Sequence, residues 1–206
     1  TKKKTLVRAG SKEHDTNKYF RRNDNMYFDG VVRIMGKIDV SKMKSLVEEI
    51  PESVWESDWR KNVNTNFYDS HSVWMKSMPF TKDKIFHAFD SSCTCQHDGF
   101  QQVYLDFQKQ LENMLDGIVV RSCIIRLTSN NSVKRHIDGQ HDIFRYCYRI
   151  IIPILTNSKS ILKYDDYEFV LEEGIVYDTN PFLPHSTFNG GETNRYQAVI
   201  DVFPNT

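Results

Sequence analysis

The pattern of apolar and polar residues changes once along the chain, at Ile118. Between Asp98 and Gly117, apolar residues recur every fourth position, which predicts an amphipathic helix with Asp98 as N-cap. Its apolar stripe comprises Val103, Phe107, Leu111 and Leu115. From Ile118 onward the apolar positions alternate, which indicates short β-strands. The strands are predicted over 118–127, 144–152, 160–164, 166–171, 174–178 and 196–203. Many short strands separated by turn residues favour a jelly roll, a cupin-like sandwich.

The region before this helix carries weaker signals. Val32, Ile34 and Ile38 fall on alternate positions with charged residues between them, which predicts a half-buried strand. Ser41 is expected to cap a following helix, and Pro51 to end it. We therefore expect a mainly β protein whose core is braced by helices from the N-terminal half.

A length of 206 residues suits one core and is short for two, so we predict one domain over 1–206. Residues 1–25 are polar and basic and are interpreted as a solvated tail or edge segment. Residues 26–117 would supply helices and loops in support of a β core over 118–203. Within them, 61–100 is irregular and rich in Asn, Ser and Asp, which is typical of a lid or binding loop.

Charge and composition exclude several classes of protein. Lys plus Arg and Asp plus Glu both number 27, so no net field favours nucleic acid or an anionic membrane surface. No apolar run has the length of a membrane span, and the N-terminal residues lack the order of a signal peptide. The four cysteines show no metal-binding spacing and are expected to be free thiols. We expect a cytoplasmic protein.

The candidate chemistry centres on His136 and Asp138, which are two residues apart and can therefore reach one ion from a short strand or turn. His185 would complete a set of two imidazoles and one carboxylate. That set holds Fe(II) in non-haem oxygenases and leaves other coordination positions open. His141 is the alternative imidazole, but His136 with Asp138 makes the better chelate.

Two arginines and a glutamine are candidates for binding a carboxylate. Arg195 follows His185 across the turn Asn189-Gly190-Gly191 and would lie on a neighbouring strand, with Gln197 pointing the same way. Arg149 shares one strand face with Ile151, and an arginine turned into a barrel needs a carboxylate partner. Arg149 is therefore either a clamp for a cosubstrate or substrate, or an arginine at a strand edge in water.

Several motifs over residues 118–203 occur in the order seen in one enzyme family. They are Ile124-Ile125-Arg126-Leu127, His136-Ile137-Asp138, Arg149-Ile150-Ile151-Ile152-Pro153, Glu173-Gly174, Tyr177-Asp178, His185, Asn189, Arg195 and Asp201. In this respect the chain resembles the aspartyl/asparaginyl β-hydroxylases, which are 2-oxoglutarate- and Fe(II)-dependent oxygenases on a double-stranded β-helix.

The resemblance implies roles for individual residues. His136, Asp138 and His185 would bind Fe(II), Arg195 would hold the distal carboxylate of 2-oxoglutarate, and Arg149 would lie near the cosubstrate. The implied reaction uses O2, with ascorbate as a candidate supporting reductant, and releases succinate and CO2. It would hydroxylate an unactivated C–H of an aspartyl, asparaginyl or prolyl residue, free or in a peptide. Two alternatives stay open, a cupin-like metal oxygenase that does not use 2-oxoglutarate and a non-catalytic binding module on the same fold.

Overall fold

The computed structural model of the protein describes residues 5–8, 30–56, 70–76, 98–138 and 142–205. Within these residues the chain forms two β-sheets that face each other, and helices cover the outer face of the larger sheet. No helix in the described part of the chain is long and apolar enough to cross a membrane.

The larger sheet has six strands. In spatial order they are β2 (Val32–Lys37), β9 (Ile175–Thr179), β6 (Tyr148–Leu155), β11 (Arg195–Pro204), β4 (Gly117–Leu127) and β3 (Ser70–Lys76). The smaller sheet has five strands. They are β1 (Thr5–Arg8), β8 (Tyr167–Val170), β7 (Ser160–Tyr164), β10 (His185–Asn189) and β5 (Ser132–His136). All pairs are antiparallel except the pair of β1 with β8.

The last eight strands define the architecture. In the larger sheet they lie in the order β9-β6-β11-β4, and in the smaller sheet in the order β8-β7-β10-β5. The chain crosses from one sheet to the other between most consecutive strands, so two four-stranded layers wind around a common interior. This is the double-stranded β-helix, or jelly roll, and the predicted fold class is confirmed.

Three helices belong to the outer layer: α1 (Ser41–Glu49), α2 (Glu52–Glu56) and α3 (Asp98–Leu115). The apolar stripe predicted for α3 is confirmed, since Phe107 and Leu111 are buried in the core that the helices share with the larger sheet. From β6, Ile150, Ile152 and Ile154 enter the same core. Burying each such side chain contributes about 1.5–3 kcal/mol to folding, so this layer anchors the sheet on one side.

The space between the two sheets has a second, smaller core. Ile151 of β6 and Val199 of β11 pack there against Leu162 and Phe169 of the opposite sheet. Because side chains alternate along a strand, the residues two positions before and two positions after Ile151 and Val199 point into the same space. Among them are Arg149, Gln197 and Asp201, which are polar or charged and belong to the candidate site.

Two local predictions are wrong. The strand predicted over 144–152 begins at Tyr148 and extends to Leu155, and Asp142–Arg145 forms a 3-10 turn. The apolar alternation of 144–148 belongs instead to a turn that inserts Phe144 beneath the sheet. Ser41 is the first residue of α1 and not its cap, since Val40 occupies the N-cap position; the backbone N–H of Ser41 donates to Asp39 Oδ1 at 2.9 Å.

Three strands are absent from the prediction, namely β1, β3 and β5. The strand expected at His185 is present as β10, but the prediction that it neighbours the strand of Arg195 is wrong, because β10 lies in the smaller sheet and β11 in the larger. β1 falls within the stretch interpreted as a solvated tail or edge segment, and β3 within the stretch interpreted as a lid. β5 and β10 are short and polar, and each begins or ends at a candidate metal ligand. Most of the proposed lid, and also His141, lie outside the described residues.

Candidate metal centre

His136, Asp138 and His185 meet at one end of the inner space. His136 is the last residue of β5 and His185 is the first of β10, and the two are direct partners in the ladder. The backbone N–H of Asp138 donates to Pro181 O at 3.1 Å, which fixes the loop after β5 against the loop before β10. One ligand atom from each of the three side chains lies within 4.8 Å of the others.

Both imidazoles are oriented by the backbone. His136 Nδ1 lies 2.7 Å from Lys134 O, and His185 Nδ1 lies 2.9 Å from Leu183 O. Because a carbonyl can only accept, each Nδ1 carries the proton when the ring is neutral, and each Nε2 keeps its lone pair. The Nε2 atoms face the carboxylate of Asp138, at 3.3 Å for His136 and 3.8 Å for His185. Backbone acceptors of this kind are typical of metal-binding histidines.

The electrostatics of the cluster keep the carboxylate ionised. Burial alone would raise the pKa of Asp138, but the charge of Arg149 and the neighbouring His136 and His185 outweigh it and hold this pKa well below its usual range. Arg149 Nη2 donates to Asp138 Oδ2 at 2.6 Å. The Asp138 carboxylate is therefore ionised and lies between two imidazole rings that can be neutral, and this donor set suits a divalent cation.

The two histidines differ in their pKa values. For His136, burial lowers the pKa, but the hydrogen bond and charge of Asp138 outweigh burial, so the pKa is raised above 6.5. For His185, burial dominates, and the pKa is lowered below 6.5 despite the same carboxylate. Near neutral pH, His136 is thus the ligand whose proton competes with a metal ion.

Arg195 occupies the other end of the inner space without a carboxylate partner among the described residues. Its side chain is 4% exposed, and its Nη1 donates to Ser160 Oγ at 3.2 Å. Its Nε is buried and has no hydrogen-bond partner. Burial lowers the pKa of Arg195 from 12.5 to about 10. Burying a guanidinium with an unused donor costs free energy of folding, and an anion that bound there would offset this cost.

Thr187 lies between this arginine and the metal ligands. It is two residues after His185 on β10, so both side chains point to the same face. Its Oγ1 is also buried without a hydrogen-bond partner. Ser160 pairs with Asn189, four residues after His185, which places the contact with Arg195 roughly 13 Å along the strand. Thr187 and Ser160 were not predicted as site residues, although the His-x-Thr alternation in the sequence points to Thr187.

The predicted site residues fall into two groups. Gln197 is 5% exposed and lies on the same face of β11 as Arg195, two residues along. Arg149 lies with the metal ligands, not with Arg195, and both carboxylates that it contacts belong to the protein: Asp138 and Asp201. The structure thus brings together His136, Asp138, His185 and Arg149 at one end, and Arg195 and Gln197 at the other.

Comparisons with known proteins show a likeness in shape and not in sequence. No family model matches the sequence, and a search of the curated proteins finds no match. One similar solved structure is a collagen prolyl hydroxylase of Paramecium bursaria Chlorella virus 1 in complex with 2OG. It has a TM-score of 0.48 at 11% identity over 86% of this chain and 98% of that chain.

Two further structures are similar to a comparable degree. A non-haem monooxygenase, ThoJ, solved with Ni has a TM-score of 0.48 at 12% identity over 85% of this chain and 74% of that one. A 2OG-Fe(II) oxygenase family member from Burkholderia pseudomallei has a TM-score of 0.43 at 11% identity, over 65% of this chain and 66% of that one. Since all three TM-scores are below 0.5, the function of this chain has to be inferred from its own side chains.

Proposed function

We propose that the protein is an Fe(II)- and 2-oxoglutarate-dependent dioxygenase that hydroxylates an unactivated C–H and releases succinate and CO2. The observation that carries the proposal is the pairing of two features in one interior. A two-histidine, one-carboxylate cluster lies at one end, and the buried Arg195, with an unused Nε, lies at the other. A metal site alone does not require such an arginine, whereas a dicarboxylate cosubstrate does.

The ligand set fits Fe(II). Two imidazole Nε2 atoms and one carboxylate are donors that suit a divalent first-row metal, and three ligands leave positions open for other molecules. Bound iron would supply the chemistry with O2 that no side chain can perform. His136 and His185 would hold the metal with their Nε2 atoms, while backbone carbonyls keep the rings in place.

In this proposal a short linear dicarboxylate spans the two ends. With its keto-acid end at the metal, 2-oxoglutarate would lie along β10 with its distal carboxylate towards Arg195. Arg195 Nε would donate a charge-assisted hydrogen bond, and Thr187 Oγ1 is placed to donate a second. Both atoms are buried and find no hydrogen-bond partner among the described residues. The surrounding strands exclude water from the cosubstrate, which strengthens both contacts.

The substrate class follows from the family resemblance alone. We propose an amino acid or a peptidyl residue of the aspartyl, asparaginyl or prolyl type. A pool of free amino acids and short peptides that stimulates succinate formation would identify the class. Stimulation by no member of the pool would remove this part of the proposal without affecting the metal and cosubstrate.

The primary test is succinate formation from 2-oxoglutarate with Fe(II), ascorbate and O2. Wild-type protein is compared with His136→Ala, which removes one ligand, and with Arg135→Met as a matched control. Arg135 lies next to His136, but its side chain is exposed and pairs with Asp165. We expect succinate from the wild type and from Arg135→Met, and none from His136→Ala. Metal binding without any succinate would favour the cupin-like oxygenase that does not use 2-oxoglutarate.

A second test addresses the cosubstrate directly. The affinity for 2-oxoglutarate is measured anaerobically at saturating Fe(II) in wild type, Arg195→Met and Arg135→Met. Loss of one partner of a buried charged pair costs about 2–5 kcal/mol. The dissociation constant should therefore rise by a factor on the order of 100 in Arg195→Met only. An unchanged constant in Arg195→Met would exclude Arg195 as the anchor.

A further inference from the structure

A row of alternating charges leads from the metal ligands into the larger sheet. Arg121 on β4, Asp201 on β11 and Arg149 on β6 are direct neighbours in the strand register. Arg121 Nε donates to Asp201 Oδ2, and Arg149 Nη1 donates to Asp201 at 2.9 Å and 3.1 Å. Arg149 Nη2 donates to Asp138 Oδ2 at 2.6 Å. The row therefore ends on a proposed metal ligand.

The row is buried and held from the side. The exposed fractions of its side chains are 10% for Arg121, 1% for Asp201, 13% for Arg149 and 18% for Asp138. The ring of Phe144 packs against both guanidinium groups, and its centroid lies 5.0 Å from Arg121 Cζ and 5.1 Å from Arg149 Cζ. A guanidinium fixed by two carboxylates and an aromatic ring has little freedom to turn towards another ligand.

Two functions for Arg149 can be compared. As a clamp for a small molecule it would need a free donor edge and an uncompensated charge, as Arg195 has. Both Nη atoms of Arg149 are instead used by protein carboxylates. In addition, the two arginines and the two aspartates of the row sum to no net charge. The observed contacts favour a role towards Asp138 over a role towards a bound carboxylate.

We propose that Arg149 is a positioning residue that confines Asp138 to one-oxygen coordination of the metal. This rests on the proposed metal site. Arg149 donates to Oδ2, which also lies 3.8 Å from His185 Nε2, and leaves Oδ1, which lies 3.3 Å from His136 Nε2, without a guanidinium partner and able to bind the ion. A carboxylate that binds through one oxygen takes one coordination position, whereas one that binds through both takes two. Arg149 thereby preserves a position for the cosubstrate or O2, and Asp201 and Arg121 keep Arg149 in place.

Co(II) binding without 2-oxoglutarate distinguishes this role from that of a clamp. The affinity of the protein for Co(II) and the visible absorption of the bound Co(II), which reports its coordination number, are measured. The proteins compared are wild type, Arg149→Met, Asp201→Asn and Arg135→Met. Loss of an outer partner typically weakens metal binding by roughly 10- to 100-fold. In Arg149→Met we expect a loss of Co(II) affinity of this size and an altered spectrum. Asp201→Asn should cause a smaller loss of affinity, because Asp201 acts on Asp138 through Arg149. Arg135→Met should change neither the affinity nor the spectrum.

Wild-type affinity and spectrum in Arg149→Met would overturn the inference, since a clamp for 2-oxoglutarate does not act when that molecule is absent. If Arg149→Met does not fold, Arg149→Lys decides the question. Lysine keeps the charge but lacks the planar fork that donates to Asp201 and Asp138 from two separate nitrogens, so Co(II) affinity should still fall and the spectrum should still change. Wild-type behaviour in Arg149→Lys would then overturn the inference. Failure of the wild type to bind Co(II) would instead reject the proposed metal site itself.

Discussion

Arg149, whose side chain is 13% exposed, and Arg195, which is buried, both enter the space between the two sheets, and they differ in their contacts there. Arg149 contacts two carboxylates of the protein, Asp138 and Asp201, and the pKa of its guanidinium is raised because these charges outweigh burial. Arg195 contacts a serine hydroxyl, retains a buried Nε without a partner, and has its pKa lowered by burial.

The guanidinium of Arg149 is paired within the fold, whereas that of Arg195 has no carboxylate partner among the described residues and is available to a ligand. Burying an ion is costly, and only a partner within the fold offsets that cost before any ligand arrives. Arg149 has such partners and therefore contributes to holding the metal ligands in place. Arg195 has none among the described residues, so its cost is offset when an anion binds. The two positions should respond oppositely when the same charge is removed.

The largest effect is expected for stability. Arg149→Met leaves Asp138 without its guanidinium partner and Asp201 with Arg121 as its partner, and breaking a buried pair costs about 3–5 kcal/mol. Arg195→Met removes an uncompensated charge, and replacing a buried ionic group by an apolar one stabilises by up to about 1–4 kcal/mol. Urea unfolding without metal or 2-oxoglutarate should therefore show a lower midpoint for Arg149→Met and a higher one for Arg195→Met. Shifts of the same sign would contradict the distinction.

A slightly smaller effect is expected from the cosubstrate itself. At about 100 times its dissociation constant, a ligand stabilises the folded state by about 2.7 kcal/mol. With metal present, 2-oxoglutarate should raise the unfolding midpoint of the wild type and of Arg135→Met by this amount. Arg195→Met, although more stable when empty, should gain little at the same concentration. A full gain in Arg195→Met would show that the distal carboxylate binds elsewhere.

The sequence predicts the fold and the three metal ligands better than it predicts the partners of the two arginines. The alternation after Ile118 and the period of α3 predict the jelly roll and its brace, because burial of one strand face or helix stripe leaves a regular pattern. The spacing of His136 and Asp138 and the position of His185 predict which side chains meet. These features depend on local periodicity and on order along the chain.

The partners of the two arginines could not be predicted. Arg149 and Asp201 are 52 residues apart and meet because β6 and β11 pair in one register, which is decided by the whole sheet. The pattern of 144–147 predicts a strand, but Asp142–Arg145 forms a 3-10 turn, in which Phe144 is buried and its ring packs against the guanidinium groups of Arg121 and Arg149. Short polar strands such as β5 and β10 lack an apolar pattern since they carry the site.

The pH dependence of metal affinity tests the electrostatics at the Arg149 end. A metal binds neutral imidazole, and Asp138 raises the pKa of His136 above 6.5 while burial lowers that of His185. As the pH falls through the raised pKa, protonation of His136 should weaken Co(II) binding by up to about tenfold, or about 1.4 kcal/mol, for each further pH unit. Titrations between about pH 8 and pH 6 measure this loss. A constant affinity over this range would contradict the assignment of His136.

The smallest effect is expected at Thr187, midway between the two ends. Thr187→Val preserves the shape of the side chain but removes the buried Oγ1, which has no hydrogen-bond partner among the residues that the structure describes. Without 2-oxoglutarate the variant should therefore be as stable as the wild type or slightly more stable, because no hydrogen bond is lost. With 2-oxoglutarate it should lose one hydrogen bond to a charged group, about 1–2 kcal/mol or on the order of tenfold in affinity. Thr187→Ser restores the hydroxyl and should recover most of this loss. Equal affinity in the valine variant would place the cosubstrate away from β10, and the unused Nε of Arg195 would then require a different anion.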